Sequence, residues 1–118
     1  MPTILVIDDE PAVCSVIKFL LARKGFTAVT YADGLSALAA LASHNFALAL
    51  IDLGLKPVHG RHVVEAIRAA KPAMPIVVMS GVLAGEPNDA LPGLSPDLKG
   101  IHRLAKPFKP QNLIGLVT

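Results

Sequence analysis

Three short runs of apolar residues, each stopped by a polar side chain, constrain this chain more than any other feature. Ile4-Leu5-Val6-Ile7 stops at Asp8-Asp9, Phe46 to Ile51 stops at Asp52, and Ile76-Val77-Val78-Met79 stops at Ser80. A strand wetted on one side alternates polar and apolar residues, and these runs do not, so each is expected to be covered on both faces. Two weaker strand signals join them: Phe26 to Tyr31, and Ile101 to Ala105 ending at Lys106-Pro107. Helical patterns lie between. Pro11 suits a first helical turn and the acids before it suit a helix N-terminus. Val13, Val16, Ile17, Leu20 and Leu21 then mark one helical face, and Gly25 closes it. Asp33 is placed to cap a second helix carrying Leu35, Leu38, Leu41 and Ala42. Gly60 to Ala70 reads as a third, with Val63, Val64 and Ile67 inward, and a last helix starts at Pro110.

Five strands separated by helices imply βαβ units. The expected fold is a parallel sheet with helices on both faces and right-handed crossovers. One segment breaks the rhythm. Val82 to Gly100 holds Pro87, Pro92 and Pro96 with three glycines, so the fourth helix is expected to be irregular. With 118 residues the chain has length for one domain.

Composition narrows the function classes. At 53% hydrophobic and 17% charged residues the chain is not disordered, and no apolar run reaches the length of a membrane span. The start, Met1-Pro2-Thr3, leads straight into a strand-like run, so no secretion signal is expected. The single cysteine, Cys14, excludes an internal disulfide and suits a reducing cytoplasm. A net charge of +2 and 4% aromatics argue against direct nucleic-acid binding. The charge is nevertheless uneven. Residues 1–55 hold three basic and five acidic side chains, while residues 56–118 hold eight basic and four acidic. A cation is therefore expected in the first half.

In an open parallel sheet the ligand crevice lies beyond the carboxyl ends of the strands. Asp8, Asp9, Asp52, Ser80 and Lys106 all stand at such ends, so residues far apart in sequence are expected to converge. Three clustered carboxylates repel one another unless a cation joins them, and all-oxygen ligation suits Mg²⁺. A lysine can pair with phosphate oxygens and a serine can donate to them. The set fits phosphoryl transfer onto a carboxylate, a reaction that consists mostly of positioning and charge neutralisation.

These residues resemble a known family. Val6-Ile7-Asp8-Asp9-Glu10, Leu50-Ile51-Asp52-Leu53, Met79-Ser80-Gly81 and Lys106-Pro107-Phe108 resemble, in order, the four motifs of response-regulator receiver domains of two-component signalling, the chemotaxis regulators among them. The resemblance covers residues 1–118 as a single receiver domain, either stand-alone or excised from a longer protein. It implies a flavodoxin-like, doubly wound five-stranded sheet of order 2-1-3-4-5. It implies that Asp52 accepts a phosphoryl group from a histidine kinase or histidine phosphotransfer protein. Asp9, Asp52, the Gly54 carbonyl and, through water, Asp8 would hold Mg²⁺, and Ser80 and Lys106 would bind the phosphoryl oxygens. Ser80 would also act as the switch that alters the surface read by a downstream protein or output domain, with a phosphorylation-dependent dimer as one form of output. The domain would catalyse only its own phosphorylation and dephosphorylation.

Departures from the family are local. His59 stands where many receivers carry Asp before Gly60, and Lys56 precedes Pro57. Arg103 occupies the position of the usual aromatic switch residue and is expected either to pair with an acid on switching or to stay solvated. Cys14 reads as a small buried hydrophobe. Lys18, Arg23 and Lys24 read as the wet face of the first helix, and His44 as a surface residue. His59 and His62 straddle Gly60 but lack a further metal ligand. Two other functions share the site: a phosphorelay or phosphate-sink receiver of a hybrid kinase, and a non-phosphorylated docking module. A haloacid-dehalogenase-type phosphatase would need a second Asp at the position of Gly54.

Overall fold

The computed structural model describes residues 2–54, 60–81, 101–106 and 109–117, with Gly60, Arg61, Ser80, Gly81, Ile101, Arg103, Ala105 and Lys106 described by backbone alone. The elements run β1 (Thr3–Ile7), α1 (Pro11–Ala22), β2 (Thr27–Tyr31), α2 (Gly34–Leu41), β3 (Leu48–Asp52), α3 (Gly60–Ala70), β4 (Ile76–Gly81), β5 (Ile101–Lys106) and α4 (Pro110–Val117). The expected irregular helix at 82–100, together with Lys56, Pro57 and His59, lies outside the described residues.

The five strands form one parallel sheet of order β2-β1-β3-β4-β5, as the family resemblance implies. Alternation along each strand divides the core in two. Leu5, Ile7, Ala49, Ile51, Ile76 and Val78 meet α2 and α3 through Ala37, Leu41, Val63, Val64 and Ile67. Ile4, Val6, Leu48, Leu50, Val77 and Met79 meet α1 and α4 through Ile17, Leu21 and Leu113. Both faces are thus covered, which is why β1, β3 and β4 can be apolar without interruption.

The local signals act as expected at most helix ends. Asp33 is extended at the N-cap of α2, and its Oδ1 accepts from the Ser36 amide at 2.8 Å. Gly25 takes φ +86° after α1, a conformation that leaves glycine unstrained and places Phe26 N–H on the Leu21 carbonyl at 3.0 Å. Arg68 closes α3 differently. Its Nη1 donates to the Pro72 and Met74 carbonyls at 2.8 and 2.7 Å, tying the helix to the turn that enters β4.

Two helices depart in part from their expected faces. On α1 the buried centre is Ile17 and Leu21, and Val16 is 51% exposed. Val16 sits about 140° round the helix from Leu21, so a stripe this wide cannot all face the sheet. On α2 the buried residues are Gly34, Ala37, Ala40 and Leu41, whereas Leu35 is 64% exposed and Ala42 is exposed. Small residues and Leu41 face the sheet, and Leu38 packs partly buried against the same core.

Two outcomes test this packing. Ile67→Ala, at a fully buried site, should destabilise by about 2–5 kcal/mol in urea titration. Leu35→Ala should stay within about 0.5 kcal/mol. The Ser36 amide and hydroxyl hold the Asp33 carboxyl below its ordinary value. A depressed folded value gives stability that is present above the unfolded pKa of about 3.9 and is lost as pH falls through the folded value. Asp33→Asn keeps an acceptor for the amide but should flatten that acid limb of the Tm–pH curve.

Candidate functional site

Strand register fixes the site before any side chain is considered. Ile7 pairs with Ile51, so Asp8 and Asp52 leave adjacent strands at one level. Asp52 pairs with Met79, and Ser80 follows one residue beyond it. Ser80 pairs with Ala105, and Gly81 with Lys106. Neighbouring strands stand about 4.8 Å apart, so the backbones of these four residues line one edge within four adjacent strands. The backbone thus brings together the expected Asp8, Asp52, Ser80 and Lys106. Arg103 pairs with Val78 in mid-strand, away from that edge.

Asp8 and Asp52 are the buried polar or charged residues of the described core, at 1% and 7% exposure. Both share the parity of the strand residues that meet α1. Each carboxylate is oriented by a local amide. Asp8 Oδ1 accepts from Glu10 N–H at 2.9 Å, and Asp52 Oδ1 accepts from Gly54 N–H at 3.0 Å. Backbone bonds anchor the same turns: Asp8 N–H donates to the Tyr31 carbonyl at 3.1 Å and Leu53 N–H to the Met79 carbonyl at 2.9 Å. Cys14 is half-buried, and its thiol donates to the Asp8 carbonyl at 3.3 Å. It is therefore less enclosed than expected and braces the strand end.

Asp8, Asp9 and Glu10 each bring one carboxylate oxygen within 4.8 Å of the others. Asp9 and Glu10 are exposed, and the cluster opens beside a cleft of about 360 Å³ lined by Cys14, Ser15, Lys18, Thr30 and Tyr31. Glu10 belongs to this cluster although the expected metal set passed over it. Adjacency to Asp9 was the available signal, and its position at the α1 N-cap obscured it. A buried carboxylate beside two exposed ones, with Asp52 on the neighbouring strand, is an oxygen-only donor set that fits a hard divalent cation such as Mg²⁺. Gly54 stands in the turn after β3, and a Cβ built there would lie 3.5 Å from Asp52 Oδ1. The residue at this position therefore borders the carboxylate directly.

Residues 4–118 match the response regulator receiver domain family. The chain belongs to that family. It is a receiver domain of two-component response regulators, as the motifs imply. It is 29% identical to the probable transcriptional regulatory protein TcrX of Mycobacterium tuberculosis, covering 95% of this chain and 46% of that protein. It is 32% identical to the DNA-binding response regulator MtrA of Mycolicibacterium smegmatis, covering 97% and 48%. The receiver domain thus spans about half the length of these curated relatives. A receiver-domain protein from Clostridium thermocellum shares the fold with a TM-score of 0.84 at 24% identity, over 99% of this chain and 91% of that one. The response regulator TrrA of Thermotoga maritima, solved in complex with Mg²⁺–BeF, matches with a TM-score of 0.65 at 31% identity, over 68% and 70%. No helix among the described residues is long and apolar enough to cross a membrane.

Like charges crowd at the receiver domain's strand ends, and replacing one should relieve them. Asp8→Asn retains an acceptor for Glu10 N–H. It should raise Tm in EDTA, by roughly 4 °C for each kcal/mol of repulsion removed. It should also shrink the Tm gain on adding Mg²⁺, both read by differential scanning calorimetry.

Proposed function

We propose that this receiver domain accepts a phosphoryl group on Asp52 from a histidine kinase or histidine phosphotransfer protein and thereby changes the surface it offers a downstream protein or output domain. The observation that carries the reading is the buried, amide-oriented carboxylate of Asp52 beside buried Asp8, on adjacent strand ends. In the reaction an Asp52 carboxylate oxygen bonds to phosphorus as the phosphorus–nitrogen bond of the donor phosphohistidine breaks. The leaving imidazole keeps the electron pair and takes a proton. The product is an acyl phosphate.

Asp9, Asp52 and the Gly54 carbonyl would hold Mg²⁺, with Asp8 acting through water, and Glu10 stands close enough to join them. The ion supplies charge neutralisation for the incoming phosphoryl oxygens. The Gly54 amide orients the Asp52 carboxylate, and burial keeps bulk water from competing with the donor. Lys106 would pair with a phosphoryl oxygen as a point charge. Ser80 would donate to another, drawing the end of β4 toward the phosphate. A phosphoryl group adds up to about two negative charges, and a tenfold change in partner affinity requires only about 1.4 kcal/mol of differential binding. The domain is therefore a switch, with self-phosphorylation and self-dephosphorylation as its only chemistry. Arg103 lies three residues before Lys106 on β5, opposite Val78, so a switching role for it would act from mid-strand. The reading places the domain in the cytoplasm, within a protein that joins it to an output or leaves it to dock with one.

Incubation with Mg²⁺ and acetyl phosphate should add one hydroxylamine-labile phosphoryl group in the intact mass spectrum. EDTA or Asp52→Asn should abolish the gain. A gain that survives Asp52→Asn would remove Asp52 from the acceptor role.

A further inference from the structure

The sheet has two outer edges, and their sequences differ. β5 carries Arg103 and Lys106, charges of the kind that blunt an edge against further pairing. β2 carries none. Phe26 to Ala32 reads Phe-Thr-Ala-Val-Thr-Tyr-Ala, a run without charge, proline or glycine and rich in strand formers. Among the described residues no strand pairs with its outer side. Each residue of β2 pairs with one residue of β1, so no bulge turns the edge away.

The ladder shows which backbone groups face outward. Thr27 N–H donates to the Pro2 carbonyl at 2.9 Å, and the Tyr31 carbonyl accepts from Asp8 N–H at 3.1 Å. In a parallel pair the N–H and C=O of one residue point to the same neighbour, and those of the next residue point away. Thr27, Val29 and Tyr31 are thus turned to β1, while Ala28 and Thr30 present their backbone groups to the outside. Charge is segregated along this edge. Arg23 and Lys24 stand before its start and Asp33 follows its end. Exposed Asp9 lies at the same end, in the cleft lined by Thr30 and Tyr31, with Lys18 across from it.

We infer that the outer edge of β2 is an interface with a second copy of this chain, the two β2 strands pairing antiparallel about a two-fold axis at Val29. In that register Ala28 of one copy faces Thr30 of the other, and the outward N–H groups of each strand meet the outward carbonyls of its mate. Val29 meets its own counterpart as a non-hydrogen-bonded pair, with Cα atoms about 4.5 Å apart. Charge selects this occupant. Antiparallel pairing sets the basic end of each strand against the acidic end of the other, whereas parallel pairing would set like against like. The contact is one ribbon, so the dimer belongs to the weak class that forms at high protein concentration. It lies across the sheet from Ser80 and Lys106 and involves no phosphoryl group.

Sedimentation velocity and amide hydrogen exchange on the unphosphorylated chain, over a rising concentration series, test this inference. A monomer–dimer equilibrium should appear. The Ala28 and Thr30 amides should slow severalfold as the dimer fills, while the Thr27, Val29 and Tyr31 amides, already bonded to β1, should change little. Thr30→Pro removes an outward N–H and no bond to β1, so it should abolish the dimer with the fold retained by circular dichroism. Lys24→Glu, at an exposed site outside the strand, should weaken association at least threefold. Val29→Cys in a Cys14→Ser background should oxidise to a covalent dimer, because the paired Cα atoms stand within disulfide reach. A chain that stays monomeric throughout, a dimer that survives both Thr30→Pro and Lys24→Glu, or a dimer that protects β5 amides instead would overturn it. Edge amides that slow only when a synthetic β-strand peptide is added would assign the edge to a foreign strand and overturn it as well. None of these readouts requires Asp52 to accept phosphate, so this reading and the phosphorylation reading fail separately.

Discussion

Two carboxylates buried at the ends of neighbouring apolar strands are the constraint on which this structure depends. A buried charge is tolerated only where hydrogen bonds and opposite charge compensate it. Asp8 and Asp52 meet the first need with the Glu10 and Gly54 amides, each two residues ahead in the chain. A turn that curls back on its own carboxylate fixes the point where each strand ends and the next segment begins. The same turns hold β1 to β2 and β3 to β4 through the Tyr31 and Met79 carbonyls. The proposed Mg²⁺ would meet the second need, coupling the architecture of the edge to its proposed chemistry.

The rest of the fold serves that edge. β1, β3 and β4 are apolar throughout because helices cover both faces, and the strand ends are where their chains first reach water. Parallel pairing puts all those ends on one side. Residues as distant as Asp8 and Lys106 then share one edge without any direct sequence relation.

Much of this was legible in the sequence because continuous apolar runs admit few alternatives. The strand ends at Asp52 and Lys106, the Asp33 cap and the span of α3 follow from turn, cap and periodicity signals that act locally. Helix rotation was less legible. α2 carries alanine and leucine on several sides, and periodicity does not say whether small or large residues approach the sheet. Close packing favoured Ala37 and Ala40. The five-residue stripe on α1 was wider than the face the sheet covers, so Val16 was left outside. Glu10 belongs to the first acidic motif and to the helix start but stands outside the expected metal set, because helix starts and oxygen ligands draw on the same residue type.

Paramagnetic broadening by Mn²⁺ tests the central claim most directly, because it reports which amides surround a bound cation without requiring phosphorylation. At substoichiometric Mn²⁺, the amides of residues 8–10 and 52–54 should broaden together, and excess Mg²⁺ should restore them. Broadening confined to one of those two segments, or centred on exposed acids such as Glu65, would contradict a single cation site built by adjacent strand ends.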